Sequence, residues 1–241
     1  MMKNTKFRRI LLLLACAVLL VSLSVGATLA YLTSTDEVEN TFTVGSVNIK
    51  LDEADVYETG ETEDMTKLGT KKSDADRVKE NKYKLLPGKT YDKDPMVTVL
   101  AGSEESYIRM IVTVSDITKL KAAFPNQYIN DDGSFNLAAF VNNTWDASKW
   151  VYYTGSNAAG GVYEFRYYET VNTLPTNDAA TGSNLALEPL FEEIKIPGEI
   201  TKEQLANLQG VSINIVAHAI QAEGFAGADE AWAAFDSQEA N

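Results

Sequence analysis

Apolar residues recur at alternate positions over short runs separated by turn residues, the pattern of strands with one face buried. Over 41–51, Phe42, Val44, Val47, Ile49 and Leu51 alternate with a one-residue shift at Gly45-Ser46, predicting a strand with a bulge or bend. Tyr83 to Tyr91 predicts a strand entry and a turn with Pro87 at i+1 and Gly88 at i+2. Two strands follow over 95–100 and 107–114, joined by the turn Ala101-Gly102-Ser103-Glu104, and others are expected over 149–154, 162–171, 187–196 and 211–221. Helices are short: Ser115 or Asp116 caps one ending at Ala123 before Phe124-Pro125, Ser134 caps 136–141, and Thr201 caps 202–208. A last turn or two over 229–235 carries Trp232 and Phe235. Residues 52–81 are rich in Glu, Asp, Lys and Thr and poor in large apolar residues, predicting an exposed insertion or mobile loop. Many short strands, few helices and no repeat predict an all-β chain with minor helices, arranged as an antiparallel β-sandwich over 41–241.

The start of the chain breaks this pattern. Lys3, Lys6, Arg8 and Arg9 precede a stretch without charge from Ile10 to Thr35, as in an export signal whose cations stay inside. Small residues at Thr28 and Ala30 suit the subsites of a signal peptidase, so cleavage is expected between Ala30 and Tyr31. Residues 10–30 would also span a bilayer as a retained anchor, although Ser22, Ser24, Gly26 and Thr28 dilute their last third. Leu13-Leu14-Ala15-Cys16 is a loose lipobox, but apolar residues follow Cys16 where lipoproteins carry a polar linker.

Charge and cysteine usage narrow the function. The chain has 241 residues, 34 acidic and 21 basic, for a net charge of −13, and losing the four signal cations makes the exported part more negative still. Such a surface disfavours nucleic acid and anionic membrane as partners, so membrane contact is expected only through an uncleaved signal. Cys16 is the one cysteine and leaves with the signal, which excludes a disulfide, a catalytic thiol and a thiolate metal site from the exported domain.

Beyond the signal end Gly26-Ala27-Thr28-Leu29-Ala30-Tyr31-Leu32-Thr33, the chain runs into Asn40-Thr41-Phe42-Thr43-Val44-Gly45. This N-terminal block resembles the TasA/camelysin family of Gram-positive bacteria. Leu86-Pro87-Gly88-Lys89 leading to Tyr107-Ile108-Arg109, and Ala219 to Phe225 with Ala231-Trp232, are further landmarks of the likeness. The resemblance implies a jelly-roll-like sandwich, a signal cut by a peptidase of the SipW type, secretion, and a place in biofilm-matrix fibres. Camelysin also brings a metallopeptidase label.

The residues do not supply a peptidase centre. A zinc peptidase needs two histidines one helical turn apart and a carboxylate base, whereas this chain has only His218, within a strand pattern. Around no serine is there a Gly-x-Ser-x-Gly elbow, and neither phosphate-loop nor dinucleotide fingerprints occur. No catalytic residue, cofactor or metal ligand is therefore assigned. Calcium is the ion best suited to the oxygen-rich turn Asn130-Asp131-Asp132-Gly133 and to the cluster Glu58, Glu61, Glu63 and Asp64, but neither fits a twelve-residue EF-hand loop. Tyr163, Phe165 and Tyr167, with Trp150, Tyr152, Tyr153 and Tyr168, read as one packed sheet face or as a carbohydrate- or partner-binding surface.

The expectation is a secreted, non-catalytic structural protein that assembles into matrix fibres or decorates them. Residues 31–40 would be an extended segment ahead of the core, with apolar anchors at Tyr31, Leu32 and Val38, able to add as a strand to a neighbour's open sheet edge. Its partner would be another copy in a head-to-tail homopolymer or a related matrix protein. A camelysin-like surface metallopeptidase and an envelope-associated carbohydrate- or protein-binding module are the alternative readings.

Overall fold

A computed structural model of the chain describes residues 45–175 and 182–239. The expected signal, the expected cleavage between Ala30 and Tyr31, and the expected anchors Tyr31, Leu32 and Val38 lie outside the described residues. The strands are β1 (Ile49–Ala54), β2 (Arg77–Val78), β3 (Thr90–Asp92), β4 (Met96–Val99), β5 (Ser106–Val114), β6 (Trp150–Tyr152), β7 (Val162–Tyr167), β8 (Leu185–Ala186), β9 (Glu193–Lys195) and β10 (Ile213–Gln221). The helices are α1 (Ile117–Ala123), α2 (Leu137–Phe140), α3 (Lys202–Asn207) and α4 (Ala228–Glu239). Antiparallel pairing builds two four-stranded sheets, β2-β1-β4-β8 and β10-β5-β7-β6, with β3 and β9 paired apart. The chain is thus mostly antiparallel β with few helices.

Alternation decides which side chains meet. Val97 and Val99 of β4, Ile108, Met110 and Val112 of β5, and Tyr163 and Phe165 of β7 fall in one buried cluster, so both large sheets turn a face to a common core. Each such side chain contributes roughly 1.5–3 kcal/mol when fully buried. Gly88 takes φ +73° and Lys89 N–H closes on the Leu86 carbonyl at 3.2 Å, giving the expected proline–glycine turn. Asp116 caps α1 by accepting from Lys119 N–H, and Thr201 with Gln204 forms a capping box on α3.

Five expectations change. Of the strand expected over 41–51, residues 41–44 lie outside the described residues; among the described ones it starts at Ile49 and runs on to Ala54, because Gly45 to Asn48 is fixed instead by the neighbouring turn: Glu104 N–H donates to the Ser46 carbonyl at 3.0 Å and Asn48 N–H to Ser103 Oγ at 3.1 Å. Residues 52–81 are bonded into the structure: Asp52 and Glu53 are buried within β1, Val56 and Leu68 join the interior, and Arg77–Val78 pairs with Glu53 and Ala54. Of the strand expected over 187–196 only β9 forms, on β3; β8, on β4, ends just before that range, and Pro189 in the connection cannot donate to a ladder. Asn136, not Ser134, caps α2, since the Ser134 N–H and hydroxyl are both taken by Asp132. The final helix is also longer than a turn or two, with twelve residues.

Candidate functional site

A groove of ≈ 860 Å³ opens between the two large sheets. Its floor is apolar, formed by Leu120 and Phe124 near α1, Phe140 of α2, and Ile194, Ile196 and Leu208. One wall is Val211 to Ala217; the other is the end of β1 with Lys79 to Asn81. Consecutive residues line the first wall, which requires β10 to stand edge-on to the groove.

The ladder says which backbone groups that edge exposes. In an antiparallel pair, both backbone groups of a residue face the same neighbour, and successive residues alternate sides. Ser115 N–H donates to the Ser212 carbonyl at 3.0 Å and Ala222 N–H to Glu105 at 2.8 Å, so even-numbered residues of β10 face β5. The N–H and C=O groups of Ile213, Ile215, Ala217 and Ala219 therefore face away from β5, toward the side where β1 lies near, and β10 has no second hydrogen-bonded strand among the described residues. Across the groove, Leu100 N–H donates to Asn48 at 2.9 Å, so by the same alternation Ile49 and Leu51 present their backbone on the side of β1 away from β4. The Leu51 carbonyl accepts from Lys79 Nζ.

The β1 wall is held by charge. Arg77 Nε donates to Asp52 at 2.5 Å, Nη1 to Asp94 at 3.2 Å, and Nη2 to the carbonyls of Asp52 and Asp94 at 3.1 and 3.0 Å. Lys50 and Lys71 pair with the same two carboxylates at 2.6 and 3.1 Å, and Lys93 pairs with Glu53. Burial pushes the Asp52 carboxyl up, but the bonds from Lys50 and Arg77 outweigh it and hold it below the usual carboxylate range. Asn81 ties the wall to β1 through Glu53, the Ala54 carbonyl and Val56 N–H.

The residues weighed for other chemistry lie elsewhere. His218 sits on the far face of β10, where Nδ1 accepts from Arg109 Nε at 3.2 Å and the ring stacks on Phe235 at 4.7 Å. Among the described residues, no three His, Cys, Asp or Glu side chains are grouped to hold a metal ion. Asp132 accepts from the backbone and hydroxyl of Ser134, Glu61 pairs with Lys72, and Asp64 accepts from Thr66, so these acids serve their own turns. Trp150, Tyr163 and Phe165 are buried. Exposed Tyr153 and Tyr168 have Arg166 and Lys149 at 3.9 and 4.6 Å over their rings.

The open β10 edge, Lys79 and the Arg77 cluster were not singled out from the sequence. The run 211–221 is plainly a strand, but edge position depends on partners far away in the chain. Comparison with family models, with curated proteins and with solved structures gave no match to this chain.

Proposed function

We propose that this is a secreted structural protein of the extracellular matrix, with a jelly-roll-like sandwich that grows fibres by strand addition. Residues 31–40 of one copy would add to the open edge of β10 in the next. The observation that carries this reading is the row of outward backbone groups at Ile213, Ile215 and Ala217 beside an apolar floor. An added strand would supply the absent hydrogen bonds, and of its anchors Leu32 and Val38, which share one face of a strand, would cover the floor while Tyr31 takes the other face.

The ends of the molecule fit head-to-tail growth. The chain enters at Gly45 beside the turn before β5, where Ala222 just after β10 is also bonded, whereas the groove follows the first half of β10. A donor segment joined to the described chain at Gly45 and a groove toward the other end would make an open contact, which repeats into a filament.

Ala217→Pro tests the reading. Proline removes an N–H that faces the groove and leaves the β5 ladder intact, a position sheets accept at their edges. The exported chain starting at Tyr31 should form filaments by electron microscopy, and the variant should stay folded, with its unfolding midpoint within a few degrees, and form none. A folded Ala217→Pro chain that polymerises like the parent refutes strand addition at β10.

A further inference from the structure

The groove has a charge pattern as well as an open edge. Two cations line it, Lys79 and Lys93. Lys93 is committed to Glu53 and lies 5.6 Å from the Tyr83 ring centroid. Lys79 is exposed, donates to the neutral Leu51 carbonyl, and makes no ion pair among the described residues. That carbonyl belongs to the groove-facing side of β1, so the ammonium stands where an entering strand has to arrive.

The entering segment has the opposite charge. Between Arg9 and Lys50 the chain has no cation, and residues 31–44 carry Asp36, Glu37 and Glu39. Two copies of a chain with net charge −13 repel, which makes an unpaired lysine at the groove a local exception. Glu80, the next residue, also lines the groove and repels carboxylates placed off Lys79. Cation followed by anion therefore discriminates between registers as well as between strands.

We propose that Lys79 is the specificity residue of the groove, accepting a strand of a second copy by pairing with one carboxylate of its Asp36-Glu37 segment. This rests on the strand-addition reading. The ammonium exchanges a neutral acceptor for a charged one beside an apolar floor, where attraction is less weakened than in open water.

The test measures the lowest concentration at which the exported chain starting at Tyr31 forms filaments, with circular dichroism to verify folding. Lys79→Glu should raise that concentration about tenfold, combining a lost attraction with a new repulsion. Adding Asp36→Lys and Glu37→Lys to the same chain should restore assembly. Lys79→Gln, which keeps a donor for Leu51 and removes the charge, should give a smaller rise of roughly threefold. Parent-like assembly of Lys79→Gln and Lys79→Glu, or a loss that the reversed acids do not restore, overturns the role of Lys79 while strand addition stands. A parent chain that forms no filaments overturns strand addition, and this proposal with it.

Discussion

Arg77 meets Asp52 and Asp94, whose side chains are only 3 % and 7 % exposed, whereas the Asp236 that meets Arg109 is 60 % exposed. In the first centre the carboxylates are buried and the arginine joins β2 to β1 and to the segment before β4. In the second the arginine is the buried charge, and its cover comes from the C-terminal helix: Trp232 and Phe235 of α4 lie 4.4 and 5.1 Å from the guanidinium. Register explains the need for that cover. Arg109 stands directly opposite Arg166 on β7, and Glu164, Asp236 and Asp229 offset the like charges. One cluster is internal to the groove wall; the other fastens a helix to the far face of a sheet.

The largest effect should come from breaking the wall. Arg77→Met leaves two buried carboxylates with only Lys50 and Lys71 as cations, and should destabilise the chain by about 3 kcal/mol, near the lower bound for losing one partner of a buried pair. Urea unfolding measures it. A loss below about 1 kcal/mol would mean that the lysines suffice and that the two centres do not differ as described.

Arg109→Leu should have the next largest effect, about 2 kcal/mol, from the lost charged hydrogen bonds to Asp236 and His218. The outcome should also be local. Amide exchange along α4 should quicken while β5 stays protected, because the ladder to β7 and β10 does not involve the side chain. Uniform loss of protection would show that α4 and the sheets unfold as one unit.

The contrast also explains what the sequence makes legible. Alternating runs such as 107–114 and 211–221 identify strands because one face is apolar, and Asp116 and Thr201 identify helix starts through their side-chain oxygens. Residues 52–81 mislead for the converse reason. Asp52 and Arg77 look like solvated charges until the fold pairs them, and pairing depends on partners 25 residues apart in the chain. Neighbouring residues do not encode the open edge of β10 either; it exists because β5 takes one side and no described strand takes the other. Tyr31, Leu32 and Val38 stand out in the sequence only as apolar residues in a polar run, and they lie outside the described residues.

Acid should separate the two centres by the smallest margin. Hydrogen bonds from Arg109 hold the Asp236 carboxyl below the usual range, and Asp52 is held below it despite its burial. With both folded-state values depressed, the stabilisation is complete above the ordinary carboxylate range and is lost as the pH falls through the lower folded values. Both groups therefore steepen the acid limb of a stability curve and leave its neutral part flat. Exposure makes the Asp236 share small and sensitive to salt, since surface pairs are screened and buried ones much less so. Asp236→Asn should flatten the acid limb slightly at low ionic strength and leave it unchanged in 1 M salt, where screening extends over about 3 Å. Asp52→Asn should flatten it at both. Equal salt sensitivity in the two variants would place both arginine centres in the same electrostatic environment and end the distinction between them.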